Sequence, residues 1–204
     1  QTDNQDTLIH LVEGMKGTKI LVIGDICLDR FVRGDVTRIS SESPIPVMVT
    51  KQENAMLGQA GNSFSNLICL GVNATILSII GNDQEGERVR GLVQATGAPT
   101  DTLIVAHGCP TTVKTRYLSG HQQVFRTDTE AIKGYNKDAE HTLLQKLDDL
   151  IPQQNAIILL PQNFKSYLWN DGTTAAQSTF TKSEVKWRYA GNNDCTMRVD
   201  TISA

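Results

Sequence analysis

Lys19-Ile20-Leu21-Val22-Ile23-Gly24, followed at once by Asp25-Ile26-Cys27-Leu28-Asp29-Arg30, is the stretch on which the fold turns. A short apolar run rich in branched residues, with no polar alternation and a glycine at its end, reads as a strand buried on both faces. Strands of that kind belong to parallel sheets covered by helices. Two carboxylates, Asp25 and Asp29, then stand past the strand's carboxyl end, where open α/β sheets bind their ligands. They could accept hydrogen bonds from sugar hydroxyls. They could equally make a turn or cap a helix, and the motif alone leaves these readings level.

Working outward, Ala74 to Ile80 is a second apolar strand closed by Gly81, and Thr102 to Ala106 and Ala156 to Leu160 are two more. Pro44 to Thr50 reads as a strand that its prolines push to a sheet edge. Between these runs, Phe64, Leu67, Ile68 and Leu70 have helical spacing, with Gly71 as the stop. Asn82 or Asp83 can cap a helix through about Ala95, with Glu85 and Glu87 in its first turn, where the helix dipole favours anions. Leu143, Leu144, Leu147 and Leu150 share a face of a helix over 138–151. Thr111 to Leu118 and Gln122 to Thr129 alternate around Ser119-Gly120-His121 as a β-hairpin. Strands alternating with helices across short loops predict an α/β layered sheet, mostly parallel, with a few antiparallel strands set apart.

The 204 residues suit one domain, or one with a small appendage. A net charge of -3 gives no basic field to gather nucleic acid or anionic lipid. No apolar run approaches the roughly 20 residues of a membrane span. Gln1 to Asp6 is polar, without a signal-peptide core, and a start at Gln rather than Met reads as processing or trimming. The cysteines at 27, 69, 109 and 195 form no C-x-x-C pair. Cys27 and Cys69 lie in apolar runs as small hydrophobes, which favours a reducing, cytoplasmic setting. The four histidines lack metal-ligand spacing, so no metal site is expected from them. Gly81-Asn82-Asp83-Gln84-Glu85-Gly86-Glu87 has Glu where a phosphate loop needs Lys, which inverts the charge.

Two further motifs carry chemistry. Leu57-Gly58-Gln59-Ala60-Gly61-Asn62 precedes a helix; its small residues would let a ligand approach the backbone, and Asn62 can donate and accept at once, which suits a hydroxyl. An ordinary loop and cap is the competing account. Lys114 and Arg116 share one face of a hairpin arm and could clamp a phosphate or carboxylate, Arg in a bidentate grip. A solvated strand face is the competing account there.

Taken together, VIGDICLDRF (22–31), RISSESPIPVM (38–48), LGQAGNSFSNLICLG (57–71), IIGNDQEG (79–86) and TTVKTRYLSGHQQVFRTDTE (111–130) resemble the ribokinase (PfkB) family of carbohydrate kinases. The second and last segments favour the branch that phosphorylates heptose 7-phosphate on the way to ADP-heptose. The resemblance implies a three-layer α/β sandwich, here truncated, with a small β lid over the sugar. It places that region at 1–160, with lid strands near 31–50 and 111–129, and leaves 161–204 as an unassigned tail. It implies sugar hydroxyls held by Asp29 and Asn62, with Asp25 nearby, Gly58 close to the sugar, and Lys114 and Arg116 on the substrate's own phosphate. ATP and Mg would be the cofactors, and lid strands would pair in a homo-oligomer.

The likeness has gaps. Gln59 replaces the usual second glycine of its loop. The family's Ser-Asp-Tyr-x-Lys-Gly turn after the last strand is replaced by Leu160-Pro161-Gln162-Asn163-Phe164-Lys165. After Leu160, where the family carries them, neither the Asn-x-x-Glu segment for magnesium nor the Gly-Ala-Gly-Asp helix start, with its anion hole and base, occurs in the sequence. The catalytic base is therefore unassigned, and the chain by itself is expected to phosphorylate poorly. A non-catalytic sugar-phosphate-binding or dimerising module is the alternative.

Overall fold

The structure is a computed structural model that describes residues 2–131, 134–160, 166–169, 185–192 and 195–202, with side chains over 6–131 and 134–159. Four parallel strands make the central sheet: β1 (Lys19–Gly24), β4 (Asn73–Gly81), β5 (Leu103–Ala106) and β8 (Ala156–Leu160), in the order β5-β4-β1-β8. The strand alternation splits the core in two. Ile20, Val22, Ala74 and Ile76 face one side, where α2 (Ala60–Cys69) and α3 (Gln84–Gln94) pack through Phe64, Leu67, Val89 and Val93. Leu21, Ile23, Leu77 and Ile79 face the other, against Ala139 and Leu147 of α4 (Lys137–Leu150) and Ile151 beyond it. The result is helix, sheet, helix, with a double-sided β1 as its unpatterned run predicted. Burying one side chain such as Phe64, fully enclosed at 0 % exposure, contributes about 1.5–3 kcal/mol.

A second sheet, β3-β2-β6-β7, stands apart as the lid. β2 (Ile26–Ile39) and β3 (Pro46–Gln59) are antiparallel; β6 (Val113–Ser119) runs parallel to β2, and β7 (Gln122–Thr129) closes the hairpin. The expected hairpin is present, and the Pro-bearing strand is at the sheet edge, as proline's missing N–H requires. The reading of Pro44 to Thr50 as a short strand is corrected: β3 continues to Gln59, and β2 begins at Ile26. The polar residues of these long strands hid them, since a two-faced lid lacks the continuous apolar run of a core strand. Asp29 therefore lies within a strand rather than in a turn.

Two caps follow sequence chemistry. Asp83 caps α3 by accepting the Gly86 N–H at 2.8 Å, and Asn136 caps α4 by accepting the Ala139 N–H at 2.8 Å. Gly71, at φ 81°, ends α2 as expected. α1 (Thr2–Met15) is an element the polar start did not announce; it exposes Leu8, Ile9 and Leu11. Cys69 is exposed, contrary to its reading as a buried hydrophobe, because the α2 stripe that faces the sheet is Phe64 and Leu67. Cys27 is buried as expected. In the tail, β9 (Ser166–Trp169), β10 (Val185–Asn192) and β11 (Cys195–Ile202) form an antiparallel sheet in the order β11-β10-β9. The sequence left this tail unassigned; residues 170–184 and the Cys195 thiol lie outside what is described.

Candidate functional site

The candidate site forms where β1 ends, the lid begins and α2 starts. Ser78 on β4 fixes that junction: its hydroxyl donates to the Gly24 carbonyl at 2.7 Å and accepts the Ile26 N–H at 3.1 Å. The chain thus leaves β1 through Asp25 and enters β2 on a defined course. The Asp25 carbonyl accepts the Ala60 N–H at 3.0 Å, which ties the start of α2 to the same corner. Asp25 is exposed to solvent by its surface area, although protein atoms surround its carboxyl group. Burial raises its carboxyl above the ordinary value, and the nearby Lys114 ammonium draws it part of the way back. Tyr135 leans on the same corner: burial first, then the Asp25 charge, push its phenol up to about 12.

Period-two alternation and register put Asp29, Phe31, Lys114, Arg116, Arg126 and Asp128 on one face of the lid. Asp29 is in register with Lys114, and Phe31 with Arg116. The Arg116 guanidinium donates to Asp29 Oδ1 and lies 5.4 Å from the centroid of the Phe31 ring, a cation–π contact. Among the described residues Lys114 joins no ion pair, although its charge reaches Asp25, Cys27 and Asp128. Gly58 faces Cys27 across β2–β3, and a Cβ at that position would come 2.5 Å from Asp29 Oδ2 and 2.6 Å from Cys27 Sγ. Glycine there makes room for the Asp29 carboxylate. Burial first, and the Asp29 charge second, push the Cys27 thiol up to about 11, so it stays protonated and inert.

Asp25, Asp29, Gly58, Lys114 and Arg116 thus gather at the corner and on the adjoining lid face. Asn62 stands in the first turn of α2, exposed, on the helix that starts from the same corner. No side chain caps that helix: Gln59 precedes it at φ 56°, ψ -125°, and its Oε1 is enclosed without a hydrogen-bond partner. Sequence reasoning did not select Ser78, Tyr135 or the Arg126–Asp128 pair. The last was legible as an i, i+2 couple opposite Lys114 and Arg116. A hollow of about 380 Å³ lined by Glu53, Asn54, Ala55, Arg88, Gly91 and Leu92 shares no residue with this site. Among the described residues no three His, Cys, Asp or Glu side chains lie together as a metal-holding group.

A parallel sheet between layers of helix, with a β lid that carries carboxylates beside cations on one face, is a ribokinase-like fold. The pattern of the pfkB family of carbohydrate kinases matches residues 17–192, and the chain belongs to that family. It is similar to the bifunctional protein HldE of Paramagnetospirillum magneticum, 40% identical over 152 residues, which are 74% of this chain and 31% of that protein. Against HldE of Caulobacter vibrioides it is 42% identical over 125 residues, 61% of this chain and 26% of the relative. The chain therefore spans about a third or less of the length of these relatives. Ribokinase of Arabidopsis thaliana, solved with ribose and ATP, shares the fold with a TM-score of 0.50 at 14% identity, over 70% of this chain and 45% of its own.

Proposed function

We propose that this chain is the substrate-holding part of an ATP-dependent sugar kinase that acts on a sugar already carrying a phosphate, of the heptose 7-phosphate kind. The observation that supports it most is the meeting of Asp29, Gly58, Lys114 and Arg116 on the lid, beside the corner where β1 ends. Asp29 and Asn62 would take sugar hydroxyls: the carboxylate accepts, and the amide donates and accepts. Asp25 adds a second acceptor at the corner where β1 ends, and Gly58 lets the sugar approach. Lys114 and Arg116 would hold the sugar's own phosphate, charge against charge. The first-turn N–H groups of α2, left without a side-chain cap, would supply further donors.

Phosphoryl transfer depends on positioning and charge stabilisation. These residues hold and orient the acceptor sugar; ATP supplies the phosphoryl group. The base that deprotonates the attacking hydroxyl is not assigned to any residue of this sequence, which lacks the Gly-Ala-Gly-Asp helix start. The setting we propose is cytoplasmic; no helix among the described residues is long and apolar enough to cross a membrane. Ile39, Ile45, Val49 and Phe125 lie 52–62 % exposed on the lid strands and the loop between β2 and β3. They support pairing of lids between two copies, and a light-scattering mass of one chain would remove that part of the reading.

Titration calorimetry with heptose 7-phosphate and, separately, with a non-hydrolysable ATP analogue tests the main proposal. The sugar phosphate should bind and raise the melting temperature, since a ligand of the folded state stabilises it. The nucleotide should do little. Binding of the nucleotide without the sugar phosphate would reverse the assignment.

A further inference from the structure

Arg126 lies directly across β6–β7 from Arg116, as Asp128 lies across from Lys114. Two guanidinium groups opposite each other on one sheet face repel, and here each is occupied by a carboxylate. Arg116 donates to Asp29. Arg126 grips Asp128 with two donors, Nε to Oδ1 at 2.7 Å and Nη2 to Oδ2. The Arg126–Asp128 pair is exposed, and its partners are two residues apart on one strand, so neither is needed to join elements of the fold. Lys114, between these pairs, holds no carboxylate of its own among the described residues.

We propose that Arg116 and Arg126 form a two-pronged subsite for the phosphate monoester of the sugar substrate, and that Asp29 and Asp128 are its place-holders while the site is empty. This rests on the sugar-phosphate reading above and adds Arg126 as a specificity-determining residue. A phosphate dianion offers the planar, bidentate hydrogen bonding that guanidinium groups match, and it relieves the repulsion between the two arginines. On its arrival Arg116 moves from Asp29 to the phosphate. The Asp29 carboxylate is then free to accept hydroxyl hydrogens. A neutral sugar must break the Asp29–Arg116 pair without that compensation. The empty lid thus discriminates in favour of phosphorylated sugars before any other contact is made.

The test is calorimetry on the full chain with heptose 7-phosphate, heptose, inorganic phosphate and ADP, for wild type and for R126Q, D128N and D29N. R126Q should weaken heptose 7-phosphate and inorganic phosphate by about ten- to a hundredfold, the range of a hydrogen bond to a charged group, and leave heptose unchanged. D128N should tighten inorganic phosphate by about two- to fivefold, since it removes an exposed competing ion pair, and a gain of affinity cannot come from misfolding. D29N should move the two ligands in opposite directions, with phosphate tighter and heptose weaker. If R126Q leaves both phosphate ligands untouched, or if D128N weakens them, the subsite is wrong. Protection by ADP that depends on Arg126 would overturn the sugar assignment in favour of a nucleotide phosphate. If no sugar binds but inorganic phosphate does, in a manner lost in R126Q, the subsite stands and the broader functional reading falls.

Discussion

At Gln59 the chain turns from β3 into α2 with φ 56° and ψ -125°, a region where any Cβ is crowded and glycine is at home. The resemblance puts a glycine there, and the sequence puts Gln; the backbone nonetheless holds the glycine conformation. The side chain gains nothing visible in exchange, since its Oε1 is enclosed without a partner. Holding a non-glycine residue in such a region costs about 1–3 kcal/mol. Gln59→Gly should therefore stabilise the chain by about 1 kcal/mol, part of the relief being offset by the greater freedom of glycine in the unfolded state. Urea unfolding measures it, with an unchanged slope; a lower midpoint would show that the Gln59 side chain supports the corner. Asp25, Asp29, Gly58, Lys114 and Arg116 could be chosen from the sequence because each stands in a motif of fixed spacing. Arg126 and Asp128 were visible as an i, i+2 couple on the opposite hairpin arm, but such charges read as a solvated face until register shows which residues they oppose. Ser78 was hidden for another reason: a hydroxyl inside an apolar strand gives no sign of which backbone groups it will bridge.

Between elements, Asp83 does what neither sheet does alone. Its carboxylate caps α3 through the Gly86 N–H and also accepts the Thr111 N–H at 2.8 Å and the Thr111 hydroxyl at 2.6 Å, just ahead of β6. Thr111 in turn accepts the Gly81 N–H at 2.9 Å, so the end of β4, the start of α3 and the approach to the lid share one polar knot. Partial burial pulls the Asp83 carboxyl upward, but the three hydrogen bonds together hold it below its ordinary value. A carboxylate with a lowered folded-state pKa adds stability above its unfolded pKa, about 3.9, and loses it as pH falls through the folded value. Asp83→Asn should thus lower the melting temperature at pH 7 and converge with wild type in strong acid, below both values. The loss at neutral pH should be about 1–2 kcal/mol, the range of a helix cap. A constant difference from pH 7 to pH 2 would mean that shape rather than charge matters. The cap itself was legible, from Asp ahead of an acidic first turn. The link to Thr111 was not, because nothing local records a partner twenty-eight residues away.

For the whole molecule, β1, β4, β5, β8 and the three helices around them followed from apolar runs and helical spacing, since a parallel core writes its burial into consecutive residues. The lid's long strands and α1 did not, since their faces are divided between solvent and site. The same division bears on activity. Among the described strands β8 pairs only with β1 and stands at the end of the central sheet, and the chain covers 45% of the ribokinase whose fold it shares. On the function proposed, it contains the acceptor side: the carboxyl end of β1, the lid face and the start of α2. What its sequence lacks is the Gly-Ala-Gly-Asp helix start that would steady the transferred phosphoryl group and deprotonate the sugar. A general base typically contributes about 100- to 10,000-fold, and kinases in general turn over at about 1–100 per second. The 204-residue chain, assayed with ATP, magnesium and heptose 7-phosphate, should therefore turn over at least about a hundredfold below that range. It should nevertheless bind the sugar phosphate in a manner weakened by Arg116→Gln. Stopped-flow or coupled detection of ADP gives the rate, and calorimetry the binding. An ordinary kinase rate would overturn the prediction that this chain lacks the base and the nucleotide side.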